Sequence, residues 1–278
     1  MKKRINWQVA IGLLVINAFA QAATFEVSNV SELRTALNSA ANNAQDNIIN
    51  MASGTYVTTD DGESTFLYNS TNNFDLTIQD ADASTANDVI LDGGGVNEVL
   101  VLNSEAGGAT FTISGLTLQN GTRGARVLNS NLNVENSQFI GNINGSMSAD
   151  GAGLYFNSPS HNITINNARF ALNRVPYDGD GGGAYIYAYG SSIANSTFDQ
   201  NYAGEGGALY LFYINGYTGV VAEIQSSVFT DNAANSNGGA IYIHKGRLRV
   251  DDSQFNRNAR QPHSSNFDSR HVNFICEL

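Results

Sequence analysis

A single cysteine, Cys276, rules out a disulfide framework and a cysteine-based zinc site. Basic residues are also scarce: 14 Lys and Arg stand against 25 Asp and Glu, for a formal charge of −11. That balance argues against nucleic acid as a partner and against charge-driven binding to anionic membrane. The apolar run Val9–Ala20, broken by Gly12 and Asn17, is too short to span a bilayer. His161, His244, His263 and His271 are scattered, with no two at ligand spacing. Nucleophile, phosphate-loop and dinucleotide motifs are missing. These absences leave no catalytic residue and no cofactor to assign.

What the chain does have is self-similarity. SQFIGN (Ser137–Asn142), STFDQN (Ser196–Asn201), SVFTDN (Ser227–Asn232) and SQFNRN (Ser253–Asn258) are copies of one unit, and ARFALN (Ala168–Asn173) is a fifth with alanine for serine. Between them lie the glycine turns GAGLY (Gly151–Tyr155), GGAYI (Gly182–Ile186), GGALY (Gly206–Tyr210) and GGAIY (Gly238–Tyr242). A recurrence of this length marks a solenoid. Upstream of each phenylalanine, Leu132/Val134, Ile163/Ile165, Ser191/Ile193, Ala222/Ile224 and Leu248/Val250 alternate with mostly polar neighbours. Period two means a strand with one wet face. Stacked in parallel, such coils form a β-helix, with phenylalanine upon phenylalanine and asparagine bonded to asparagine. Roughly eight coils are expected, about 40 Å of stack.

FxxN paired with GGA(I/L) resembles the repeat of the polymorphic outer membrane proteins, bacterial surface proteins with right-handed parallel β-helix passengers. The resemblance covers about residues 110–258. It implies export, a β-helical stalk and a role in adhesion or surface display. The expected fold is therefore all-β, a right-handed parallel β-helix with a short amphipathic helix as N-terminal cap.

In chain order, Lys2, Lys3 and Arg4, the apolar run and Ala20-Gln21-Ala22 form a signal peptide, residues 1–22, cleaved near Ala22. No cysteine near the cut offers a lipid anchor. Residues 23–57 are expected to be the cap, with Ser31 as N-cap of a helix that turns Leu33, Ala36, Leu37, Ala40 and Ala41 to one side. The β-helix proper is expected over 58–258. Residues 259–278 are an atypical tail without glycine, expected to leave the last coil as an exposed edge. Its composition breaks so sharply that a lost C-terminal part is expected. Outer-membrane association would then need a partner or that part; otherwise the protein is secreted.

The strand after each glycine turn holds the candidate site. Arg126/Leu128, Leu154/Phe156, Tyr185/Tyr187, Leu209/Leu211 and Ile241/Ile243 are assigned inward, and Val127, Tyr155, Ile186, Tyr210 and Tyr242 outward. Tyr155, Tyr210 and Tyr242 would then form an aromatic strip on which sugar rings stack, making a glycan or a cell-surface receptor the expected partner. The alternative is a pectate-lyase-like enzyme acting on uronate polymers, for which Asp178 and Asp180 in DGDGGG are weak calcium candidates. Lys245, Arg247 and Arg249 would be its basic row.

Overall fold

The computed structural model describes residues 21–82, 88–146, 149–176, 178–213, 221–260 and 274–276. The proposed signal peptide, apart from Gln21 and Ala22, lies outside them, as do His263 and His271. The chain winds as a parallel β-solenoid, with every strand pair parallel, in sheets of fifteen, eight and three strands. In the eight-stranded sheet the pairing puts Tyr56, Leu91 and Leu118 in line with the five phenylalanines. Phe139, Phe170, Phe198, Phe229 and Phe255 stack with ring centroids 4.7–4.9 Å apart and planes within 4° of parallel. The first four are fully buried and Phe255 partly so.

Two corners frame each phenylalanine strand, and each is one residue in the left-handed region. Asn136, Asn167, Asn195, Ser226 and Asp252 take the first, with φ between 48 and 52°. Gly141, Leu172, Gln200, Asp231 and Arg257 take the second, with φ between 51 and 63°. Asparagine tolerates this conformation through its short polar side chain.

The residue after each corner, Ala168 excepted, secures it. Ser196 Oγ donates to the Ala194 carbonyl at 2.7 Å and accepts the Ala168 N–H at 3.2 Å. Asn142, Asn173, Asn201, Asn232 and Asn258 form a buried amide ladder, each Nδ2 also donating to the main-chain oxygen of a preceding coil. A buried carboxamide fully bonded in this way adds specificity without an orphaned group.

The helix is Val30–Asn42, and it turns Val30 as well as the expected Leu33, Ala36, Leu37, Ala40 and Ala41 inward. Its N-cap is Asn29, not Ser31: Asn29 Oδ1 accepts the Glu32 N–H at 3.0 Å, and Glu32 reaches back to the Ser28 N–H at 2.8 Å. Two side chains bond to helix carbonyls near its C-terminus, Asn47 Nδ2 to Ala40 at 3.2 Å and Ser70 Oγ to Ala41 at 3.0 Å. The helix packs against Phe66–Ser70, the first strand of its wall, and so covers that open edge. It is inserted between paired strands, since Ala23–Val27 already pairs in register with Asn47–Met51. At the other end, Phe274–Cys276 adds a parallel strand to Ile241–Ile243, so the tail supplies part of the edge that its composition left bare.

Candidate functional site

The wall that follows the glycine turns carries a row of tyrosines beside a row of carboxyls. Gly151, Gly181, Gly206 and Gly238 start these turns with φ of 60–68°. A Cβ at any of them would lie 2.3–2.5 Å from the carbonyl oxygen three residues on, so the turn admits glycine alone.

This turn corrects the register expected for two coils. Because the left-handed residue is Gly181, Ala184 and not Tyr185 pairs with Leu154 and Leu209 on the inner face. Ala125 likewise pairs with Leu154, which turns Arg126 and Leu128 out and Val127 in. Ile186 is buried, whereas Tyr185 and Tyr187 face outward. A one-residue slip exchanges the two faces of a strand.

The outer row is therefore Arg126, Tyr155, Tyr185, Tyr210 and Tyr242, one residue per coil. Neighbouring tyrosine rings lie 5.1–5.2 Å apart, with interplanar angles of 16°, 9° and 35°. Arg123 closes the row, its guanidinium 4.9 Å from the Tyr155 ring centre. Ring faces are thus occupied by each other and by Arg123, which removes the face-on sugar stacking expected from the sequence. Tyr155 and Tyr185 are half-buried, while Tyr210 and Tyr242 are only 7 % and 3 % exposed. Asn157 Nδ2 donates to Tyr155 Oη at 3.0 Å, whereas the Tyr185 and Tyr210 hydroxyls bond to no described residue.

Beside the tyrosines runs a second column that was not read from the sequence. Asp150, Asp180, Glu205 and Asn237 each precede a turn glycine and stand five residues before a tyrosine. Main-chain bonds align them: Gly151 N donates to Asp180 O at 2.9 Å, Gly181 N to Glu205 O at 2.9 Å and Gly206 N to Asn237 O at 3.0 Å. Asp180 N donates to Asp150 Oδ1 at 3.0 Å, and Asn237 Nδ2 to Glu205 Oε1 at 2.7 Å.

Burial, then the charges of Asp150 and Glu205, push the Asp180 carboxyl up to about 8. Burial also raises Asp150, against the opposing Asp180 N–H and Arg123. Tyr185 and Tyr210 are raised by burial first; Asp150 and Asp180 add to the first, Asp180 and Glu205 to the second. Arg123 bonds Glu98 Oε1 at 2.5 Å and the Asp150 carbonyl at 2.9 Å, while Arg126 takes Glu98 Oε2 at 3.0 Å.

Asp178 is exposed, and Asp180 couples to Asp150 and Glu205 instead of to it. Among the described residues no group of three or more His, Cys, Asp or Glu is placed to hold a metal. His244 stacks on Phe212 at 4.9 Å, and His161 Nε2 accepts the Gly108 N–H at 3.0 Å, so the two serve separate contacts. In the basic row, Arg249 pairs with Asp251 at 2.7 Å. A groove of about 590 Å³ runs along another corner, lined by Gln79, Asn136, Gln138, Asn167 and Arg169. It holds amides and Asp80, whose carboxyl is raised by burial, but no aromatic ring; the strip brings raised acids and raised tyrosines, Asp150, Asp180, Tyr185 and Tyr210, together.

Fold and strip define a parallel β-solenoid with one aromatic and acidic outer wall. Residues 195–211 and 226–244 match the Chlamydia polymorphic membrane protein repeat, so the chain carries that repeat, which points to a surface or outer-membrane protein. No curated protein matches the chain. Among solved structures, an alginate lyase from Paenibacillus sp. str. FPU-7 is similar at 13 % identity and a TM-score of 0.47, over 86 % of this chain and 99 % of that one. That likeness is too loose to bear on activity. No helix among the described residues is long and apolar enough to cross a membrane.

Proposed function

We propose that this protein is an exported, adhesin-like surface module that binds glycan along the tyrosine–carboxyl strip. Residues 1–22 act as its export signal, and it is secreted or displayed at the cell surface. One observation carries the reading: Tyr185 and Tyr210 keep unbonded hydroxyls beside Asp180 and Glu205 on an outward row. With the ring faces stacked, contact is through tyrosine edges, hydroxyls and carboxyls, groups that suit sugar hydroxyls. An extended pyranose chain lying along the stack would meet a tyrosine and a carboxyl on each of three consecutive coils, those of Tyr155, Tyr185 and Tyr210.

A uronate lyase fits this wall poorly. The polyanion would face Asp150, Asp180 and Glu205, and the nearest cation, Arg123, is engaged by Glu98. The test is a glycan array with the purified protein and with Tyr210→Phe, which removes the hydroxyl and keeps the ring. Binding that Tyr210→Phe weakens supports the reading. An array without any bound glycan, or unsaturated product from uronate polymers, would overturn it.

A further inference from the structure

We infer that the strip selects a linear polysaccharide of amino sugars bearing free amines. This rests on the glycan reading above and names its chemical class. Three carboxyl side chains, Asp150, Asp180 and Glu205, occupy consecutive coils at one position of the turn. The turn glycines hold them close to the tyrosines: a Cβ on Gly181 would lie 2.7 Å from Tyr185 N, and one on Gly206 2.9 Å from Tyr210 N.

Asn237 Nδ2 is the only neighbouring side-chain donor bonded to any of the three among the described residues, and it serves Glu205. Arg123 reaches the Asp150 main-chain oxygen but gives its side-chain ion pair to Glu98. The column therefore has more acceptors than donors, and the cation that acts on it, Arg123, is ion-paired to Glu98. Independently, the Tyr210 side chain is nine-tenths buried, and its hydroxyl, which bonds to no described residue, lies at the surface in the field of Asp180 and Glu205. A tyrosine hydroxyl held in place by its packed ring and left without a protein partner can donate to a ligand that accepts from it.

A protonated sugar amine is the complement of this arrangement. It donates up to three hydrogen bonds to the carboxyls and relieves their mutual repulsion. The neighbouring ring hydroxyls can accept from Tyr210 and Tyr185. The tyrosine spacing of 5.1–5.2 Å is close to the advance per sugar of an extended β-1,4-linked chain, so sugars keep step with the coils and, because successive sugars alternate in facing, every second one turns its amine to the column. Because Asp180 holds a proton at mildly acidic pH, forming an ion pair between it and a sugar ammonium releases that proton to the buffer.

The test compares a β-1,4-glucosamine oligomer with its fully N-acetylated counterpart by titration calorimetry, at mildly acidic pH in two buffers of different ionisation heat. The amine form should bind at least about tenfold tighter, the worth of one charge-assisted hydrogen bond, and release protons to the buffer. Asp180→Asn, checked by its melt, should lose that preference and the proton release; Glu205→Gln serves if Asp180→Asn does not fold. Equal affinity for the two oligomers, or unchanged preference in both variants, overturns the amine selectivity and leaves glycan binding standing. Absence of binding to these and to every glycan on the array overturns both.

Discussion

Asn201 and Asn232 are joined twice: Asn232 Oδ1 accepts the Asn201 Nδ2 at 2.9 Å and the Asn201 main-chain N–H at 3.0 Å. Asn201 in turn accepts both donors of Asn173 and bonds the Phe170 carbonyl at 2.9 Å. Asn201→Ala would therefore orphan several buried groups at once. A loss on the order of 3 kcal/mol is expected, given the cost of each unsatisfied group. Urea unfolding checks this, and a variant within experimental error of the parent would mean that the ladder adds little.

The phenylalanine column should weaken towards its end. Phe198 lies between two parallel rings and is fully buried, so Phe198→Ala should cost roughly 3–5 kcal/mol. Phe255 is only partly buried, so Phe255→Ala should cost clearly less. Equal losses in thermal melts would contradict the column's polarity.

Ala168 breaks the serine series. In the neighbouring coils Ser196 Oγ accepts the Ala168 N–H, Ser227 Oγ that of Ser196, and Ser253 Oγ that of Ser227. Ala168→Ser should restore the missing acceptor for Ser137 and stabilise the protein by roughly 0.5–1.5 kcal/mol. A lowered melting temperature would show that the site lacks room for the hydroxyl.

Stability should fall as pH rises towards the Asp180 value. Below the ordinary aspartate range this carboxyl is protonated in both states; above it the unfolded chain ionises first. The folded chain keeps the proton up to about 8, so the stability it contributes is lost across that interval. Asp180→Asn cannot ionise, and its melting temperature should gain on the parent's as pH is raised from about 4 to about 8. Parallel pH profiles would remove Asp180 as the cause.

The ladders were legible because Phe and Asn recur in one short frame and sit on opposite sides of a single corner residue. The glycine wall was less so. In Gly181-Gly182-Gly183-Ala184 four small residues follow one another, and only the main-chain conformation shows that Gly181 makes the corner. Alanine fits both the turn, as at Ala208, and the inner face, as at Ala184, so identity alone did not fix the register. That slip hid Tyr185, and with it an unbroken tyrosine row. The carboxyl column did have a sequence signal, the constant interval of five residues from Asp150, Asp180 and Glu205 to the next tyrosine.

The asparagine ladder also shows where this protein can change. Successive rungs are 31, 28, 31 and 26 residues apart, yet the stretch from the serine place to the asparagine is always six residues long. All variation in length falls between one asparagine and the next serine, on the side that carries the tyrosines and carboxyls. Insertions and deletions can therefore accumulate there without disturbing a ring or an amide of the ladders. Two homologues could share an identical spine and still present unrelated surfaces to whatever each one meets.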